Sequence, residues 1–266
     1  MPAKYCGLKK GVLAMNQLAV NNQSLILAFI LVLVAVGISY KEKLGLNRDI
    51  FYSIIRAVIQ LFIVGYLLKY LFQVNNFWLT TCMSFFIVLN AAWNAHKRNP
   101  SPHKHYWDSL LAIFISTYIT MGVLIAAGAI KFIPSQIIPI SGMIASNSMV
   151  AIGLCYRNLY TKFRDQRQQV LEKLALGAPV KLASLPILQE SIKTAMQPTI
   201  DSAKTVGLVS LPGMMSGLIF AGVDPVHAIK YQIMVTFMLL STTSLGAIIA
   251  GYKAYKNYFN HDLQLR

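Results

Sequence analysis

Acidic residues are scarce. Asp and Glu number nine in 266 residues, against 24 Lys and Arg, and the charged types together make up only 12% of the chain. A soluble domain of this size devotes about a quarter of its sequence to charge, so the shortage excludes one. None of the nine carboxylates falls inside a long apolar run: Glu42, Asp49, Asp108, Asp165, Glu172, Glu190, Asp201, Asp224 and Asp262 lie in connections or at the ends of runs. Gradient-driven transporters commonly bury acidic groups as cation or proton sites. The absence counts against an ion-gradient-driven secondary metal transporter, which stands as the alternative reading, and inverted repeats are not evident either.

Cysteine is also rare. Cys6, Cys82 and Cys155 are far apart, odd in number and without a CxxC spacing, which excludes a disulfide framework or a zinc module and leaves packing as their role. The histidines His96, His103 and His105 share one stretch whose spacing fits no ligand pattern, with Asp108 as its one nearby carboxylate. No firm metal site follows, and an integral-membrane enzyme lacks the cluster of acid, base or ligand groups it would need. A phosphate-binding GxxxxGK[ST] loop is missing too: "DSAKT" at Asp201–Thr205 has no glycine-rich stretch before it. The chain is not expected to hydrolyse ATP or to hold a cofactor.

What is abundant is apolar sequence, at 56% of residues with a mean hydropathy of +0.54. A membrane crossing takes about 20 such residues. Seven segments qualify: Ser24–Tyr40, Ile50–Phe72, Trp78–Ala95, Trp107–Ile130, Ile137–Tyr156, Ala203–Gly222 and Pro225–Tyr252. The fold class is therefore all-α, a polytopic integral membrane protein with about seven transmembrane helices. Residues 1–23 form an N-terminal tail whose Lys4, Lys9 and Lys10 precede a stretch broken by Asn16 and Gln17, a poor signal-peptide core. Cleavage is not expected, and Met15 is an alternative start. Residues 24–266 read as a single transmembrane domain.

Basic residues alternate between connections. Lys41, Lys43 and Arg48 follow the first segment, Lys97, Arg98 and Lys104 the third, seven residues from Arg157 to Lys193 the fifth, and Lys253, Lys256 and Arg266 the last. The intervening connections hold little beyond Lys131 and Lys230. Positive charge marks the cytoplasmic side, which places the N-terminus outside and the C-terminus in the cytoplasm, against the three lysines of the N-terminal tail. The net charge of +15 thus reports orientation, and no nucleic-acid partner is expected.

The longest connection, about residues 157–200, is then cytoplasmic. Asp165–Leu176 favours helix, and Leu171, Leu174, Ala178, Leu182 and Leu185 recur at three- and four-residue spacing. Gly177 suits a left-handed helix end, and Pro179 the first position of the next helix. The expectation is an amphipathic helix, a tight turn and a second helix along the membrane surface, closing before Pro198. It reads either as an interfacial hairpin or as a docking element whose glycine lets a partner approach the backbone.

Glu172, Ala175, Gly177 and, ten residues on, Ile187 resemble the EAA-type loop that couples ABC permeases to their ATPase, although Lys173 and Leu174 stand where alanines would and the Ile-x-Leu-Pro ending is absent. Five further stretches resemble the FetB family of iron-export ABC permeases, which is related to a plant permease-like protein linked to aluminium tolerance. They are "SYKEKLGL" at Ser39–Leu46, "FIVLNAAWNAHKR" at Phe86–Arg98, "IPISGMIASNSMVAIGLCY" at Ile138–Tyr156, "PTIDSAKTVGLVSLPGMMSGLIFAG" at Pro198–Gly222 and "DPVHAIKYQIMVTFMLLS" at Asp224–Ser241. The resemblance implies a permease subunit in a bacterial cytoplasmic membrane, exporting iron or a similar metal cation. It implies a separate ATP-binding subunit that carries ATP and Mg, a homodimer of this chain, and Glu172, Ala175, Gly177, Ala178 and Pro179 as the coupling site.

Polar groups inside apolar segments are the remaining candidates. Arg56, four residues before Gln60, and Asp201 with Lys204 lie near the cytoplasmic ends of their segments, where they either snorkel or form a charged gate, with Arg56 able to pair with Asp201. Asn90, Asn94, Met143, Asn147, Met149, Met214 and Met215 lie deeper. Asn carbonyls and thioethers would suit a weak cation path, and both residue types equally serve packing. Pro212 with Gly213-x-x-x-Gly217 predicts a kink or break that is a candidate hinge or a close helix contact. Asp224 and Pro225 read as a helix N-cap and first position.

Overall fold

A computed structural model describes residues 21–74, 76–260 and 264–265. Lys4, Cys6, Lys9, Lys10, Met15, Asp262 and Arg266 lie outside the described residues, and with them the expectations about the tail and the start. The described residues form α1 (Asn22–Lys41), α2 (Asn47–Gln73), α3 (Phe77–Lys97), α4 (Tyr106–Ala126), α5 (Pro134–Asp165), α6 (Arg167–Ala175), α7 (Val180–Thr205), α8 (Gly213–Phe220) and α9 (Pro225–Ala254). The protein is an all-α, multi-pass membrane protein: six of these helices, α1 to α5 and α9, are long and apolar enough to cross a bilayer.

The segment expected as a sixth crossing, Ala203–Gly222, is not one continuous helix. α7 stops at Thr205, and the Thr205 carbonyl accepts from the N–H groups of Leu208, at 3.2 Å, and Val209, at 3.0 Å. Gly207 takes φ +83°, Val206 bridges Ser210, and the chain resumes as the two-turn α8. The break follows from the left-handed glycine and from Pro212, which has no N–H to continue the helix.

A second correction concerns the long connection. α5 runs on past Tyr156 to Asp165, and α7 does not close before Pro198 but continues through Pro186 and Pro198. Nor does α7 lie along a surface. It returns antiparallel along α5: Lys162 meets Glu190 at 2.6 Å, and 15 residues earlier on α5, Asn147 shares a groove with Thr199. Burial of Ala183, Ser184, Ile187, Leu188, Ser191 and Ala195 outweighs the backbone hydrogen bonds its prolines give up.

The described residues divide into two compact units: 21–74 with Gly213–Ala228, and 76–212 with the described residues from Ile229 onward. In the first, nearly all of α1 and α2 is exposed, Leu71 and Ser39 being buried exceptions. Asp224 caps α9 by accepting from the Val226 N–H at 2.9 Å, and that bond, with His227 at 3.4 Å, holds its carboxyl below the ordinary value. In the second unit α5 is central, packed on α3, α4 and α7, with Ile144, Ile152, Cys155, Tyr156 and Leu159 buried.

Lipid removes most of the hydrophobic drive between membrane helices, so close packing and hydrogen bonds hold them. Ser116 of α4 and Ser148 of α5 lie 3.0 Å apart, and Ser109 and Tyr156 3.1 Å. Gly246 of α9 sits directly against Ser148, where a Cβ has no room, and Gly251 nests against Leu188, Ile192 and Cys155.

The basic connections meet at one end of this unit. Arg98, just past α3, packs on Gly153, Asn257 donates to Asp108 at 2.7 Å, and Phe163 stacks on Tyr258 at 4.4 Å. At the opposite end Phe77 packs on Phe132 at 4.8 Å, beside Lys131.

Candidate functional site

Two places in the second unit carry candidate residues. The first is the turn between α6 and α7. Gly177 has φ +85°, its N–H bonds the Leu174 carbonyl at 2.9 Å, and the Ala178 N–H bonds Lys173 at 3.0 Å, which together make a Schellman end. Pro179 is the N-cap of α7, one position earlier than expected, and its carbonyl accepts from Ala183 at 3.0 Å. Glu172, Ala175, Gly177 and Pro179 are exposed and Ala178 half-buried. Glu172 accepts from Gln168 at 3.2 Å.

The leucine pattern is divided between two roles. Leu174 packs on the core with the buried Val170, while Leu171 and Leu182 are exposed. Leu176, which spacing did not single out, stands 88% exposed at the tip. The turn thus presents an apolar knob over a backbone that no side chain at Gly177 screens. Such a shape suits insertion into a partner's groove.

The second place is a mostly apolar groove with a few polar side chains along the C-terminal half of α7. A cavity of about 150 Å³ is lined by Asn147, Val150, Ala151 and Leu154 of α5, by Ala195, Pro198, Thr199 and Ser202 of α7, and by Leu239 of α9. A chamber of about 260 Å³ shares Thr199, Ser202 and Leu239 with it and adds Val206, Ser210, Pro212, Gln232 and Thr236. From Ala195 to Ala203 the lining rises about 12 Å along α7 at 1.5 Å per residue.

Of the seven expected path residues, Asn147 alone lines this groove, its side-chain amide donating to Met143 at 2.8 Å. Met149 packs on the core. Asn94 donates to Asn90 at 2.9 Å on α3, away from the groove. Met214 and Met215 are half-buried on α8, with Gly213 and Gly217, in the first unit, where Arg56 is exposed on α2. Asp201 accepts from Gln197 at 2.9 Å and from Lys204 at 3.3 Å on its own helix. Thr199, Ser202, Gln232 and Thr236 were not anticipated; a glutamine four residues before a threonine in an apolar run was the available signal.

Among the described residues, no three His, Cys, Asp or Glu side chains group to hold a metal ion. His96 packs on the rings of Trp93 and Tyr106, and His103 lines a separate cavity of about 230 Å³ with Arg164, Arg167 and Tyr258.

Comparison with known proteins places these features in context. The profile of the uncharacterised protein family UPF0014 matches residues 22–259. An Escherichia coli (strain K12) protein named "Probable iron export permease protein FetB" is 58% identical over 251 residues, 94% of this chain and 97% of its own. "UPF0014 membrane protein YjkA" of Bacillus subtilis (strain 168) is 34% identical over 243 residues, 91% of this chain and 97% of its own. Arabidopsis thaliana "Protein ALUMINUM SENSITIVE 3" is 33% identical over 240 residues, 90% of this chain and 88% of its own. No solved structure matches.

Proposed function

This chain belongs to the UPF0014 family of membrane proteins, and from that membership we propose that it is the permease subunit of an ATP-driven exporter of iron or a similar metal cation. The observation that carries the reading is the 58% identity, over almost the whole of both chains, to a protein named as an iron export permease. Two features support it. The α6–α7 turn has the shape of a coupling element, with Gly177, Ala178 and Pro179 forming the bend, Glu172 and Ala175 on the last turn of α6, and Leu176 as the knob. The basic connections after α3, α5 and α9 gather at the end that carries this turn, as a cytoplasmic face would.

On this reading the N-terminus is outside, the C-terminus cytoplasmic, and the membrane a bacterial cytoplasmic one. A separate ABC subunit docks on the turn and binds ATP and Mg. Two copies of this chain face its two ATP sites. α7 transmits the movement, because one continuous helix links the docking turn to the groove, and the break at 206–212, with Pro212, Gly213 and Gly217, absorbs it. Asp201 and Lys204 pair with each other near the end of α7 that lies away from the docking turn, and so do not stand at a cytoplasmic entrance.

The test is to co-express the chain with candidate ATP-binding subunits, purify through a tag on this chain, and measure metal-stimulated ATP hydrolysis with and without Gly177→Trp. Co-purification and stimulation, both lost in the variant, are expected. A chain that binds no ATPase yet moves metal in vesicles without ATP overturns the reading in favour of a gradient-driven carrier.

A further inference from the structure

Two stretches of the chain leave polar groups exposed at membrane depth. The first is on α2. Arg56 and Gln60 are exposed and stand one helical turn apart on one face. Neither side chain forms a hydrogen bond or ion pair among the described residues. At about 1.5 Å per residue from Ile50, where the apolar run begins, Arg56 lies about 9 Å and Gln60 about 15 Å into the bilayer. The arginine reaches the surface by extending its side chain. The glutamine, at the middle of a core about 30 Å thick, does not.

The second stretch is the end of α7 and the break after it. Leu208 and Val209 stand 89% and 83% exposed, and among the described residues the carbonyls of Gly207, Leu208 and Val209 accept no hydrogen bond. The Lys162–Glu190 pair sets their depth. Lys162 is six residues past Tyr156, where the apolar run of α5 ends, so Glu190 lies about 9 Å outside the bilayer. Asp201 and Thr205 then lie about 8 Å and about 14 Å inside it. Non-helical backbone at that depth is tolerated only where it is buried in protein or lines a water-filled cavity.

The two stretches complement each other. α2 offers a cation and, four residues on, an amide donor; α7 offers the Asp201 carboxylate and, from six residues on, carbonyls without a donor. Arg56 matches Asp201 in depth, and Gln60 the start of the break, each within about 2 Å. One crossing precedes α2 and five precede α7, so both helices start from the same membrane face, whichever face is cytoplasmic.

We infer that α2 of one copy of this chain covers the break after α7 of a second copy, with Arg56 facing Asp201 and the Gln60 amide donating to the carbonyls at 207–209. The reverse contact completes a two-fold pair, so each copy's donors and acceptors are met by the other. Gln197 and Lys204 already bond Asp201 on its own helix, and a carboxylate has about four acceptor sites, which leaves room for Arg56. Side-chain amides are an established link between helices in lipid. The inference deepens the two-copy part of the proposed function and rests on that part alone.

The experiment cross-links two differently tagged full-length copies in membranes, in a background without the native cysteines and with no ATPase present. One copy carries Gln60→Cys and the other Leu208→Cys or Val209→Cys, and iodine oxidises adjacent thiols to a disulfide. The expected product carries both tags, at a yield at least tenfold above that of Phe62→Cys, on the opposite face of α2, in place of Gln60→Cys. Arg56→Glu beside Gln60→Cys lowers the yield at least tenfold, and Arg56→Lys keeps it. Three results overturn the proposal: no two-tag product from either pair, equal yield from Phe62→Cys, or unchanged yield with Arg56→Glu. A single chain carrying both cysteines that closes on itself instead of joining a second copy overturns it as well. ATPase docking is read by co-purification and this contact by cross-linking, so the failure of one is distinct from the failure of the other.

Discussion

Lys162 of α5 and Glu190 of α7 form an ion pair at 2.6 Å, and the pair marks the direction in which the helix after the α6–α7 turn travels. Glu190 lies nearly three turns into α7. From there the helix follows α5 back to the groove at Thr199. A partner that moves the turn therefore moves a helix already latched to the central membrane helix.

The latch itself is partly solvated, with side chains 28% and 49% exposed, so its contribution is about 0–1 kcal/mol. A double-mutant cycle with Lys162→Ala and Glu190→Ala, read by thermal unfolding in detergent, should give a coupling of about 0.5 kcal/mol. The swap Lys162→Glu with Glu190→Lys should restore most of it, and high salt should reduce it.

At the α6–α7 turn, Gly177 has φ +85°, where an L side chain costs about 1–2 kcal/mol. Gly177→Asn should fold and Gly177→Val should lower expression. Leu176→Asp, at an 88% exposed position, should leave thermal stability unchanged and lower co-purification of the ATP-binding subunit at least tenfold. Equal co-purification by the parent and Leu176→Asp would remove the knob from the interface.

Gly246 has no space for a methyl group, because Ser148 Oγ occupies it and is held in turn by Ser116 at 3.0 Å. Gly246→Ala should cost about 1–3 kcal/mol through overpacking. Adding Ser148→Ala should recover most of the loss, since it removes the colliding atom. A double variant no more stable than the single would show that another contact sets the helix separation.

Orientation is checked by single-cysteine labelling in a background without the native cysteines. Lys173→Cys and Lys256→Cys should react with a membrane-impermeant maleimide only after the cells are opened. Lys131→Cys should react in intact cells. The reverse pattern would invert the positive-inside assignment.

Much of the fold was legible because a bilayer imposes local rules. Apolar run length marked α1 to α5 and α9, and the αL requirement at Gly177 and the proline at 179 marked the turn to within a residue. The groove was less legible. Asn147 and Met149 are two residues apart and looked equivalent, yet one lines the groove and the other packs on the core, because a helix turns about 200° between them. Gln232 drew no notice because a lone amide in an apolar run carries no sign of whether its oxygen is paired.

The sequence by itself determined that the chain is an all-α membrane protein, where six of the seven expected apolar helices lie, which connections carry positive charge, and that the chain breaks near Pro212. Each of these follows from hydropathy, charge or backbone chemistry within a short window. Only the tertiary structure decided that α7 returns along α5 rather than lying on a surface, that Gly246 and Ser148 set a helix contact, and that Gln232 shares a chamber with Thr199 and Ser202. Those depend on which helix faces meet, and in lipid that choice rests on close fit and hydrogen bonding between distant segments rather than on any property of one of them.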